Sequence, residues 1–348
     1  MKHINDFDVY CESNNRQRLT KKLKVIAKTL NLNYVGNGFN NITTEIVSQC
    51  NNNIILSDCI GDLITQKDVL SWTNTCKKYN KHLIVITDNI TLNVKKIIKN
   101  NVVVLSVPEL LSITSNLEKN LVFKNHNKLF NCFIHRTSAV RQTFFYNMVQ
   151  HLDINDCYFS MHCYEPFLDI SPKEAFETAH INGEMYKDSE FEKIYKIYKN
   201  KVPVKNFQEK NNNLNDLIQD TKFSVVLETY GQEKNTPFIC ITEKTTRALT
   251  SMPIILLFSQ KKSVEALENL GFLVNEITKQ NDKMDNHWDR LFEIINILYY
   301  DDGTPYNKKT QKKYAKANIE LLKSWYNKIF NTGFLESLIK QEAENIEH

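Results

Sequence analysis

The sequence predicts an α/β protein built as two halves, each a parallel sheet covered by helices. Three observations carry that expectation. The chain has 348 residues, more than one ordinary core organises. Continuous β-branched runs such as NIILS, HLIVIT and VVVLS alternate with amphipathic stretches, as strands buried on both faces do. A polar, weakly patterned stretch from Thr114 to Asn127 then separates this series from a second one.

In order, DFDVYC (6–11) alternates and predicts a short strand, and LTKKLKVIAKTLNL (19–32) has helical apolar spacing. NYVGNG (33–38) reads as a strand with a turn, and NNIILSDCIG (52–61) as a buried strand with a polar end. DVLSWTNTCKKY (68–79) predicts a helix, HLIVITDN (82–89) a second buried strand, VKKIIKN (94–100) a short helix and VVVLSVPELL (102–111) a third strand. Ligands bind beyond the carboxyl ends of such strands. Here those ends carry Ser57-Asp58, Thr87-Asp88-Asn89 and Ser106.

The second series opens with a strand in KLFNCFIHR (128–136) and a helix in TSAVRQTFFYNMVQHL (137–152). CYFSMHCYEPFLDI (157–170) has loop character, SEFEKIYKIYKN (189–200) is helical, and KFSVVLETY (222–230) is a strand with a polar end. The ITEKTTRAL helix, the PIILLF strand (253–258) and the SVEALENLGF helix (263–272) follow. Three terminal helices are expected over 288–300, 310–330 and 334–346. The predicted organisation is an N-terminal domain over 1–115, a linker over 116–127, a C-terminal domain over 128–300 and closing helices over 301–348.

Composition narrows the function classes. Hydrophobic residues make up 42% and charged residues 24%, the balance of a soluble globular chain. The net charge of +4 suits an anionic ligand but is too small to mark a nucleic-acid protein by itself. The N-terminus lacks the apolar core of a signal peptide, and no apolar run approaches the roughly 18 residues of a membrane span, so a cytoplasmic protein is expected. The eight cysteines form no CxxC pair and are expected to be reduced thiols. Cys157, His162 and Cys163 make the only tight cluster, and without a second ligand pair no metal site is expected. Only eight glycines occur, and neither GxGxxG nor GxxxxGK[ST] is present. A nucleotide would have to be held by cationic side chains and helix N-termini. The missing glycine fingerprint also speaks against a nucleotide-dependent reductase.

Two stretches have the chemistry for that. In CITEKTTRAL, Thr242 stands at a helix N-cap position, which puts Glu243 and Lys244 in the first turn. A carboxylate is favoured there and an ammonium is not, so a phosphate bound at the helix start would explain Lys244. The alternative is that Glu243 pairs with Arg247 and Lys244 is merely solvated. In LFNCFIHRTSAVRQTFF, Arg136 and Arg141 flank a strand–helix junction, where two guanidiniums can clamp a diphosphate. The alternative is a solvated Arg141, although Val140, Phe144 and Phe145 make its helix mostly buried.

FSVVLETYGQEKNTPFICITEKTTRALTSMPIILL resembles the donor-binding signature of α1,3-fucosyltransferase-like glycosyltransferases: a strand ending in Phe-Glu-Asn, a loop, an ITEK helix start, and a Pro-led apolar strand. Related viral and bacterial sequences share ITEKT, the downstream L..LGF matched by Leu267–Phe272, and an upstream Arg-to-helix-Arg pattern matched by FIHRTSAVR. The resemblance covers roughly 128–300 and is strongest over 222–273. It implies a GT-B fold, two Rossmann-like domains facing across a cleft, and it admits a virus-encoded origin. Carried over, Arg141 contacts the donor diphosphate, Lys244 its phosphate or a sugar-proximal oxygen, and Glu243 the ribose, while Glu228 and Tyr230 border the pocket. Arg136 is added from position alone. Thr229 replaces the pattern's Asn, which leaves the sugar and base open.

The resemblance further implies an inverting transfer from a nucleotide-diphosphate sugar that requires no metal or other cofactor. Asp6-Phe7-Asp8 is the only near DxD and lies at the chain start. An inverting reaction needs a base on the acceptor hydroxyl. Asp58 and Asp88, at strand ends, are the candidates, Asp58 slightly preferred for its longer loop, and the alternative for each is a helix cap. The acceptor is expected to be a glycan first and a hydroxymethylated DNA base second, the latter served by Lys261-Lys262, Lys308-Lys309 and Lys312-Lys313. The rival from another class is a non-catalytic GT-B-derived protein that binds a glycan or a partner.

Overall fold

The computed structural model describes residues 5–61, 63–91, 96–115, 117, 121, 126–134, 140, 141, 144, 147, 148, 156–161, 214–228, 238–300 and 306–347. Six strands come from the first half: β1 (Asn33–Asn37), β2 (Ile54–Cys59), β3 (His82–Thr87), β4 (Ile90–Thr91), β5 (Lys96–Lys99) and β6 (Val102–Ser106). All but β4 form one sheet in the order β1-β2-β3-β6-β5, parallel except for β5. The second half contributes β7 (Lys128–Ile134), β8 (Cys157–Met161), β9 (Thr221–Leu227), β10 (Phe238–Ile239) and β11 (Ile254–Phe258). Its sheet has the order β11-β9-β7-β8 and is parallel throughout. The molecule is thus α/β with two parallel-based sheets, as the β-branched runs predict.

Each sheet is buried on both faces because its strands carry apolar residues at successive positions. Leu56, Ile84, Ile86 and Leu105 pack under Leu19, Leu23 and Ile26 of the Asn5–Thr29 helix. Ile55, Leu83, Val85 and Val104 face Val69, Trp72 and Cys76 of the Gln66–Lys78 helix. In the second half, Phe130, Phe223, Val225 and Phe258 pack against Phe144, Leu291 and Ile294, while Val226, Ile255 and Leu257 meet Leu249, Val264 and Leu267.

The chain's end returns to its beginning. The Lys308–Asn331 and Phe334–Glu347 helices insert Ile329, Leu335, Ile339 and Ala343 into the layer under the first sheet. Lys96 pairs with Glu342 at 2.8 Å, Lys328 pairs with Glu109, and the Lys22 ammonium donates to the Phe330 and Thr332 carbonyls at 3.3 and 3.1 Å.

Four local expectations are corrected. Residues 6–11 lie inside the Asn5–Thr29 helix. Their three alternating apolar residues are outvoted by the helical repeat of Leu19, Leu23 and Ile26, and no Gly or Pro intervenes to stop propagation. Residues 96–99 form β5 rather than a helix. Asn100, at φ 47°, turns the chain so that Lys99 sits opposite Val102 in an antiparallel hairpin. The third strand ends at Ser106, and Pro108 then starts a 3₁₀ helix to Thr114. Residues 157–161 form edge strand β8, with Cys157 and Phe159 buried on one face. That alternation stood in the sequence but was masked by the polar residues after it.

Val140, Arg141, Phe144, Asn147 and Met148 are helical, as expected. The predicted 189–200 helix and most of the predicted linker lie outside the described residues, as do His162 and Cys163. Among the described residues no cluster of His, Cys, Asp and Glu suits a metal ion, and no helix is long and apolar enough to cross a membrane. Ile339 is fully buried where the last helix meets the first sheet. Ile339→Ala is expected to cost about 2–4 kcal/mol in urea unfolding. A loss under about 1 kcal/mol would show that this helix contributes little to the core.

Candidate active site at the joined strand ends

Both sheets turn their carboxyl ends toward one junction. β4 follows directly on β3 through Asp88-Asn89, β10 lies between the end of β9 and the Glu243–Leu249 helix, and the two pair antiparallel, Ile90 opposite Ile239 and Thr91 opposite Phe238. The exchange is reciprocal. Phe238 and Cys240 pack into the first sheet's outer layer, and Ile90 packs into the second sheet's. Gln260, buried just beyond β11, holds this segment by accepting from the Cys240 N–H at 2.7 Å and donating to the Phe238 carbonyl at 3.0 Å.

On the first-half side, Asp88 is 2% exposed at the end of β3. Both its oxygens accept from the Gly61 N–H at 3.1 Å, and neighbouring Asn89 accepts from the Ile64 N–H at 2.9 Å, so the pair holds the loop after β2. Gly61 takes φ +82°, and a β-carbon there would stand 2.9 Å from the Arg16 Nη2 atom. The positive φ favours glycine, and a side chain there would also displace the Arg16 guanidinium. Burial pushes the Asp88 carboxyl up to about 7, against the opposing pull of the Gly61 N–H and the Arg16 charge.

Asp58, at the end of β2, is only partly buried and accepts a short hydrogen bond from the Tyr34 hydroxyl. Burial raises its pKa too, while Tyr34 and Arg16 oppose the rise. The same burial, with the Asp58 charge, raises the Tyr34 phenol.

On the second-half side, Thr242 caps the Glu243–Leu249 helix as the ITEK spacing predicts, accepting from the Lys244 N–H at 3.3 Å. Glu228, buried at the end of β9, organises that start. Its carboxylate accepts from the Thr242 N–H at 3.0 Å and from the Thr242 and Thr245 hydroxyls. The Lys244 ammonium donates to Glu243 at 2.8 Å, and the two side chains keep 25% and 27% of their surface exposed. Burial alone would raise the Glu243 carboxyl, but Lys244 and Arg247 together take it down to about 2.

The Glu243–Arg247 pairing weighed as the alternative is present as an electrostatic pull on Glu243, and Lys244, rather than being merely solvated, donates to the same carboxylate. Arg141 is 2% exposed, and its Nε and Nη2 donate to the Leu227 carbonyl at 3.1 and 2.6 Å, one residue before Glu228. Arg136 and Tyr230 lie outside the described residues.

The structure thus gathers Asp58 with Asp88 and Arg141 with Glu228, Thr242, Glu243 and Lys244, the two groups bordering one ribbon. Sequence reasoning missed Arg16, Tyr34, Thr245 and Gln260. Arg16 lies in a helix expected to start only at residue 19, and Gln260 has no local pattern to announce it. Thr245 was legible, since the TEKTT spacing puts it one turn after the cap. No protein-family model matches the chain, and no curated protein or solved structure matches it either.

The folded pKa of Asp88 lies above its unfolded value of about 3.8, so its contribution is most favourable below pH 3.8 and is lost as pH rises to about 7. Wild type is therefore expected to lose stability relative to Asp88→Asn over that window, measured by urea unfolding at several pH values. A pH-independent difference would contradict the burial account.

Proposed function

We propose that the protein is a glycosyltransferase of the GT-B type, moving a sugar from a nucleotide-diphosphate donor to an acceptor hydroxyl with inversion and without a metal. The observation that carries this reading is the β4–β10 ribbon, which puts the carboxyl edges of two parallel sheets side by side. Such edges are where α/β sheets bind ligands. The 1–115 and 128–300 segments would be the acceptor and donor domains, closed by the helices of 301–348.

On this reading Lys244 exchanges Glu243 for a donor phosphate, which frees the Glu243 carboxylate to accept from a ribose hydroxyl. Arg141, fixed to the end of β9, adds positive charge where the leaving diphosphate becomes more negative. The Glu228–Thr242–Thr245 network holds the helix start in place for this. Asp58 is the better base: it is reachable, whereas Asp88 is enclosed and serves by holding the Gly61 loop. Tyr34 orients the Asp58 carboxylate. The acceptor would be a glycan or, second, a hydroxymethylated DNA base.

One observation favours the rival reading of a non-catalytic binding protein. Glu243 and Lys244 satisfy each other, and two of the Arg141 donors are engaged by a main-chain carbonyl. A thermal-shift panel of GDP, UDP, ADP and CMP with their sugars separates the two. At about a hundred times Kd a bound nucleotide stabilises by roughly 2.7 kcal/mol, a shift of a few degrees. The transferase reading expects one base to stabilise wild type and not Lys244→Ala. It also expects Asp58→Asn to keep that shift while sugar release falls about 10²–10⁴-fold. No shift with any nucleotide would overturn it in favour of the binding protein.

A further inference from the structure

A compact cluster of lysines opens the Lys308–Asn331 helix. Lys308, Lys309, Lys312, Lys313 and Lys316 fall within nine residues at the start of the Lys308–Asn331 helix, and all five are exposed. The chain's net charge of +4 becomes −1 once these five lysines are set aside. No acidic residue occurs between Tyr306 and Ile319. Among the described residues Lys309, Lys312, Lys313 and Lys316 make no ion pair. Further along the helix Lys323 pairs with Glu320.

The arrangement works against the helix. Its N-terminal end disfavours cations, and like charges three and four residues apart repel. A solvated face would gain nothing from such a cluster. A polyanion would relieve both penalties at once. Lys308, Lys312 and Lys316 lie about 6 Å apart along the axis, a rigid row of point charges.

We propose that this face binds the phosphate backbone of a nucleic-acid duplex, without reading sequence. Two features favour a duplex over an anionic membrane or a single strand. The apolar side of the helix is already spent on the core through Ala315, Ile319, Leu322 and Ile329, which leaves no hydrophobic face to enter a bilayer. The one aromatic ring among these lysines, Tyr314, is half-buried, so no row of open rings is offered for stacking unpaired bases.

The surface is separate from the candidate active site. The Tyr306 hydroxyl donates to the Met252 carbonyl at 3.1 Å, just before β11, and the Gln311 amide donates to Asn275 at 2.7 Å. These contacts place the basic end of the helix at the amino-terminal side of the second sheet, opposite the edge that carries Glu228 and Lys244. Lys308-Lys309 and Lys312-Lys313 thus do not serve an acceptor at that edge, contrary to the expectation from sequence. The inference therefore stands whether or not sugar transfer is found.

The test is fluorescence anisotropy of a labelled 20-base-pair DNA duplex of random sequence with the full chain, from 20 to 200 mM salt. Four or five neutralised phosphates predict a log–log salt slope of about −4. The Lys309→Gln, Lys312→Gln, Lys313→Gln, Lys316→Gln variant changes exposed side chains only. It is expected to melt at or slightly above the wild-type temperature, because it removes charges that oppose the helix start, to flatten the slope to about −1 and to weaken binding at 50 mM salt at least a hundredfold. Lys244→Ala should bind the duplex as wild type does. The proposal fails if wild type does not bind at 20 mM salt or if the quadruple variant keeps the slope. It also fails if vesicles containing phosphatidylserine are bound in preference to the duplex at equal phosphate.

Discussion

A two-residue pairing, Ile90-Thr91 against Phe238-Ile239, is the constraint on which the candidate site depends. A ribbon that short has no stability of its own in water. It persists because each strand delivers side chains into the other half's core and because the Gln260 amide brackets β10 from both ends. The Ser106 hydroxyl adds a bond to the Asn89 carbonyl at 2.6 Å, which ties β6 to the same crossing. The Lys308–Asn331 helix also ties the halves, with Leu322 in the second sheet's layer and Ile329 in the first's, but the ribbon is the tie that lies at the strand-end clusters.

The electrostatics of the second cluster follow from one helix start. Glu228 and Glu243 both lie where the helix end favours negative charge, and Lys244 balances them. The pair is poised rather than locked, because a quarter of each side chain still meets water. Two carboxylates and one ammonium leave little room for an uncompensated anion. On the proposed reading a phosphate would enter by exchange with Glu243, and its affinity would depend on how readily that carboxylate finds another donor. The enclosed Asp88 is the opposite case: a carboxyl held among backbone N–H groups, whose cost is charged to the stability of the Gly61 loop.

Much of the fold was legible because it rests on local pattern. The β-branched runs of β2, β3, β6, β9 and β11, the Thr242 cap and the three terminal helices are all readable within a window of a dozen residues. The failures share a cause. Residues 6–11 and 96–99 were decided by what lies beside them, a continuing helix in one case and β6 in the other. The candidate site divides the same way. Asp58, Asp88, Glu228 and the Thr242-Glu243-Lys244 turn announce themselves as polar residues at strand or helix ends. Arg16 and Gln260 act across long stretches of chain, and the return of Ile329 and Ile339 to the first sheet needs three dimensions to appear. Legible spacing also did not fix roles, since Arg141 is engaged with a strand carbonyl and Glu228 with two threonines.

The most direct test of the joined-edge account is amide hydrogen exchange with and without the nucleotide diphosphate that gives the largest thermal shift. A ligand seated at the junction should slow exchange in peptides covering 57–64 and 86–91 of the first half together with 240–246 of the second. Protection of both sides would show one site built from two sheets. Protection confined to one half, or none in either, would contradict it and leave the ribbon as a structural tie alone.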